Sequence, residues 1–98
     1  MAPLFKVIMN EYQVKLETVF AWCMACGWTV VDLHQLFSRI YNVVHYRQLW
    51  RDADTPETTA LAAWSRDIAI DDLHRFMRAR CFSSEIRMAV VWLYNHVP

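Results

Sequence analysis

Apolar residues recur at steps of three and four along most of the chain, the spacing of one helical face. Phe5, Ile8, Met9, Tyr12, Leu16, Val19, Phe20, Cys23 and Cys26 form the first series, while Asn10, Glu11, Lys15 and Glu17 fall elsewhere on the wheel. Pro3 suits the start of this helix. Gly27 suits its end, where a residue that takes positive φ without strain is favoured. The spacing predicts a helix of about 22 residues, ~33 Å long. Thr29 caps a second helix, and Asp32 three positions on approximates a capping box. Leu33, Leu36, Phe37, Ile40, Val43 and Val44 make its stripe, which Leu49 or Trp50 ends. The stretch "RDADTPET" is the clearest boundary: aspartates break the period, Thr55 can cap, and Pro56 stands at the first helical position.

Beyond that boundary Leu61, Trp64 and Ile68 share one face, and Leu73, Phe76 and Met77 share another, rotated by about a quarter turn or more. The rotation predicts a break near Arg66–Ala69 and two shorter helices, with one long kinked helix as the alternative. Ser83 or Ser84 caps a last helix, "SEIRMAVVWLYNHV", which is apolar nearly all round and therefore expected at the centre. No segment reads as strand. The expected fold is a single all-α domain over residues 1–98 with about five helices. Two long N-terminal helices form an antiparallel hairpin, three shorter ones complete it, and helices of that length favour a dimeric bundle.

Composition sharpens this. The 98 residues are 56% apolar, with five Trp and five Met, above the usual ~45–50% of soluble domains. A chain of this size hides only roughly 60–70% of its unfolded surface, so part of the apolar material is expected to face a partner or a second copy. Ten basic and ten acidic residues cancel, and they also cancel locally within 1–28, 29–54, 55–80 and 81–98. No basic stripe of the kind that nucleic-acid binding uses is visible. Three cysteines without framework spacing argue against a disulfide scaffold. With no signal-peptide pattern and no apolar run approaching ~18 residues, no membrane association is expected and the expected location is cytoplasmic.

The stretch "CMACGWTVVDLH" holds the only glycine of the chain. Cys23 is a small residue four before Gly27, Cys26 and Trp28 flank it, and Leu33 and Leu36 stand six and nine beyond. With these positions, residues 21–40 resemble the helix-turn-helix of bacterial regulators. The resemblance implies DNA contact through Thr29, Val30, Val31, His34, Gln35 and Ser38, with Arg39 the nearby positive charge. Against it, Asp32 puts a negative charge where phosphate should sit. Cys23-x2-Cys26, with His34 or His45, is also similar to zinc-ligand spacing. Both cysteines, however, fall on the apolar face of a helical period with no matching second pair. No metal or cofactor is expected. No phosphate loop, zinc-protease helix or nucleophile elbow occurs, so neither an enzyme nor a small-molecule substrate is expected.

The aromatics remain. Trp22 and Met24 lie off the main stripe of the first helix and Trp28 sits at the turn. Tyr41, Tyr46 and Trp50 lie along or beyond the stripe of the second. Large aromatics off a core stripe are the usual anchors of protein interfaces. The sequence therefore points to a non-enzymatic helical module, a regulator or adaptor that sequesters another protein, for example an anti-activator of a transcription factor. Its expected partner and homodimer interface is Phe5, Met9, Tyr12, Trp22, Met24, Trp28, Tyr41, Tyr46 and Trp50, with self-association through the N-terminal helices. The runner-up is DNA binding through residues 21–40.

Overall fold

In a computed structural model, which describes the backbone over residues 2–97 and side chains over 6–97, the chain folds into four helices. These are α1 (Ala2–Ala25), α2 (Val30–Asp52), α3 (Pro56–Ala79) and α4 (Ser84–Asn95), and no strand occurs among the described residues. The boundaries follow from local chemistry. Thr29 and Asp32 form a reciprocal box: the Asp32 amide donates to Thr29 Oγ1 at 3.2 Å, and the Thr29 amide to Asp32 Oδ2 at 2.9 Å. Thr55 and Thr58 repeat the device, and Pro56 opens α3 where its missing N–H costs nothing. Ser83 Oγ accepts the Ile86 amide to cap α4.

Two corners share one geometry. At Gly27, with φ 76°, the Trp28 amide donates to the Cys23 carbonyl and the Gly27 amide to that of Met24, both at 3.0 Å. At Cys81, with φ 59°, the Phe82 amide reaches the Met77 carbonyl and the Cys81 amide that of Arg78. Both are Schellman turns, in which a left-handed residue lets the chain satisfy carbonyls at the helix end. Each delivers an aromatic ring just past the turn. Trp28 and Phe82 meet with centroids 5.3 Å apart, and Trp22 and Phe76 close the cluster at 4.7 Å from Phe82 and 6.0 Å from Trp28. Gly27 is thus the corner that carries α1 into α2 and places Trp28 under the helix ends.

The expected hairpin of the first two helices is not what forms. α2 packs chiefly on α3, and α1 packs on α4. Both pairs are antiparallel, because the contacts run in opposite order along the two partners. Arg80 meets Asp32 while Arg66 meets Trp50, and Phe82 meets Trp22 while Trp92 meets Tyr12. The reason is that the buried stripes of α1 (Val19, Cys23) and of α2 (Leu36, Ile40, Val43) both face the apolar α4, which contributes Ile86, Ala89, Val90 and Leu93 to the same core. The fourth helix is central, as its all-round apolarity predicts.

Nor does α3 break. It runs unbroken for 24 residues, giving four helices in place of five. Its core stripe is Ala62, Leu73 and Met77, with Ala69 packed beside them. Leu61, Trp64 and Ile68 lie on the opposite side in solvent. The apparent rotation of one core face is two apolar rows on two sides of a single helix. The result is a slab of 45 × 37 × 22 Å with a radius of gyration of 14.8 Å, above the ~13 Å of a compact domain this long.

Candidate interaction surface

The predicted interface residues divide into two groups. Tyr12 packs on Trp92 with centroids 6.2 Å apart, Trp22 lies against Phe82, and Trp28 sits among Trp22, Phe76 and Phe82 beneath the Arg80 guanidinium. These three belong to the protein's own interior seam. Met9, Met24, Tyr41 and Trp50 stay exposed, although the Arg66 guanidinium lies 4.7 Å from the Trp50 ring centroid. Tyr46 is half-buried in a groove between α2 and α3. The Phe5 side chain lies outside the described residues.

Among the residues that the helix-turn-helix resemblance would aim at DNA, Val30, Val31 and His34 stay exposed, while the polar ones have partners within the fold. Thr29 is spent on its capping box with Asp32. Gln35 Oε1 accepts from Arg80 Nη2 at 3.0 Å. Arg39 donates through Nη1 to the Gln35 carbonyl, places its guanidinium 4.4 Å from the Phe76 centroid and stands 3.3 Å from Asp72 in an ion pair. His34 and Ser38 contact each other at 3.4 Å. The Thr29 amide, and then Arg80, hold the Asp32 carboxyl below its ordinary range, which keeps a negative charge at the start of α2. Arg39 therefore faces α3 and Arg80, at the end of α3, faces α2, each against an aromatic ring and a carboxylate.

The cysteines behave as packing and corner residues. Cys23 is buried, and that burial, helped by Cys26, pushes its thiol up to about 11, far from the thiolate a metal or nucleophile needs. Cys26 and Cys81 are exposed and free. Among the described residues no three His, Cys, Asp or Glu side chains gather into a metal-binding group. His74, half-buried, meets the Tyr94 hydroxyl at 3.2 Å, which joins α3 to α4. The described helices include none long and apolar enough to cross a membrane.

Among the described residues, apart from single exposed side chains such as Val7, Val14 and Met88, two exposed apolar surfaces stand out. The first is an elbow around the Gly27 corner. Phe20 of α1, exposed, stacks on the half-buried Phe37 of α2 with centroids 5.0 Å apart. Met24 continues the α1 side one turn on and is 62% exposed, while Val30 and Tyr41 continue the α2 side at 82% and 66%. Val30, Phe37 and Tyr41 fall on one stripe by their steps of seven and four. The second surface is the outer row of α3, Leu61, Trp64 and Ile68, beside a groove of about 390 Å³ lined by Tyr46, Leu49, Leu61, Ala62 and Ser65. Asp52 and Asp54 also line it.

The α3 row is the feature that sequence reasoning missed. Its three large residues at steps of three and four read as a core face, whereas the true core face there is built from alanines. The signal that could have found it was the second row itself: a helix with apolar residues on two opposite sides either is buried or has a partner. Compared with protein-family models, with curated proteins and with solved structures, the chain has no significant match.

Proposed function

We propose that this chain is a non-enzymatic helical interaction module that holds another protein through apolar surface, a regulator or adaptor acting by sequestration. The observation that carries the proposal is the elbow. At the corner where a DNA-reading helix would present polar and basic side chains, this chain presents Phe20, Met24, Val30 and Tyr41 over the half-buried Phe37, and its Gln35 and Arg39 are paired with Arg80 and Asp72. Exposed contiguous apolar side chains of this kind suit a partner's apolar helix. The accessible surface, 6576 Å², exceeds the ~5,900 Å² of a typical folded monomer of this mass, which supports the same reading.

The test is salt-resolved capture with the tagged full-length chain, comparing wild type, the pair Met24→Ser with Tyr41→Ser, and the pair Gln35→Ala with Arg39→Ala. The expected result is a protein partner retained at high salt by wild type and by the Gln35/Arg39 variant. The Met24/Tyr41 variant should bind it about tenfold or more weakly. Retention of nucleic acid that disappears with salt and with Gln35 and Arg39 would replace this reading by the DNA-binding one.

A further inference from the structure

We propose that the chain forms a two-fold dimer in which α3 packs antiparallel on α3 of a second copy. The seam is distinct from the elbow and lies away from the N-terminal helices. The outer side of α3 reads Glu57, Leu61, Trp64, Ile68, Asp71, Arg75, with steps of four, three, four, three and four. That is the spacing of a coiled-coil seam, which two helices share along their length. All six positions are exposed along one uninterrupted helix, and Leu61, Trp64 and Ile68 expose 61%, 63% and 50% of their surface. The opposite side of the same helix is already committed to the core through Ala62, Leu73 and Met77.

The occupant follows from the charges. The end of α3 near the α2–α3 loop is net acidic, with Asp52, Asp54 and Glu57 against Arg51, and its other end is net basic, with Arg75, Arg78 and Arg80 against Asp71 and Asp72, Asp71 pairing with Arg75 along the helix. An antiparallel pair centred near Arg66 sets Glu57 opposite the partner's Arg75 and brings Asp54 level with the partner's Arg78. Trp64 then falls opposite the partner's Ile68, and Leu61 opposite the partner's Asp71, whose carboxylate stays paired with Arg75 at the edge of the seam, beside the recess lined by Ala62 and Ser65. Among the described residues lining that recess there is no Lys or Arg, and Asp52 accepts from the Gln48 amide, so the free carboxylate there is that of Asp54, which the partner's Arg78 reaches in this register. A parallel pair would instead stack Glu57, Asp71 and Arg75 on themselves, and like charges facing each other oppose association. The row is therefore complementary to itself in one orientation, which is the requirement of a two-fold interface.

Sedimentation equilibrium of the full chain over a range of concentrations tests this. The wild type is expected to reach a dimer. Trp64→Glu should raise the dissociation constant about a hundredfold, because a charge enters each half of the seam, with an unchanged helical circular dichroism spectrum. Glu57→Arg alone, and Arg75→Glu alone, should each raise it roughly tenfold, and the double exchange should return it to within about threefold of wild type. A wild type that stays monomeric, a dimer indifferent to Trp64→Glu, or a double exchange that fails to restore association would each overturn the proposal. A monomer that still retains a protein partner at high salt would overturn this seam and leave the function proposed above standing.

Discussion

Gly27 and Cys81 occupy the same position in two copies of one corner, yet only one of them is glycine. A left-handed conformation costs an L-residue with a Cβ roughly 1–2 kcal/mol, and glycine escapes that cost. No atom lies within 4 Å of a Cβ built on Gly27, so Gly27→Ala carries only the conformational cost. It should lower stability by about 1 kcal/mol. Cys81→Gly works in the other direction, because Cys81 is exposed and makes no disulfide; a gain of roughly 0.5–1 kcal/mol is expected. Urea denaturation of both variants measures the pair, and a stabilising Gly27→Ala would contradict the left-handed corner. The glycine corner was legible in the sequence because glycine announces positive φ. The cysteine corner was not, because nothing in a Cys-Phe pair marks a left-handed residue, and only the contact between Trp28 and Phe82 shows that the two turns answer each other.

At the level of the helices, what was legible was whatever local chemistry decides. Thr29 with Asp32, Thr55 with Pro56, and Ser83 start their helices where side-chain hydrogen bonds satisfy the first amides. What pairs with what was not legible, because the α1 and α2 stripes are both apolar and either could face the other or a third helix. The continuity of α3 was hidden because Leu61, Trp64 and Ile68 outweigh Ala62 and Ala69 in any count of apolar bulk, although the alanines hold the core side. Continuity makes its own prediction at Asp67, an exposed residue whose only side-chain partner among the described residues is Arg66. Asp67→Pro should cost ~3 kcal/mol or more, since proline inside a helix removes one hydrogen bond and clashes with the preceding turn. Asp67→Ala should stay within about 0.5 kcal/mol of wild type. If chemical denaturation found the proline variant as stable as the alanine one, a break between Arg66 and Ala69 would be the better description.

Across the whole molecule, the slab is held by α4, which joins α1 on one side to α2 and α3 on the other. One polar contact crosses that joint from α3: His74 meets the Tyr94 hydroxyl, while the Tyr94 carbonyl accepts Arg47 Nη1 at 2.7 Å. Burial, and then Arg78 and Arg87, push the His74 pKa below its ordinary 6.5, against a smaller opposing pull from Asp71. Below 6.5 the unfolded chain therefore takes up a proton that the folded chain resists. Stability should fall as pH drops from 6.5 through the folded His74 pKa, and above 6.5 this residue should contribute no pH dependence. Asp32 acts in a lower window. Its carboxyl is held below 3.8, so its contribution is present above 3.8 and is lost as pH falls through its folded value. The acid profile should thus have two steps, one from the α3–α4 joint and one from the cap of α2 and its link to Arg80. Urea midpoints followed downward from neutral pH at fixed protein concentration would resolve them. His74→Gln, which keeps a neutral partner for the Tyr94 hydroxyl, should remove the upper step and leave the lower one. An upper slope unchanged in that variant would place the proton uptake on another group and detach the pH response from this joint.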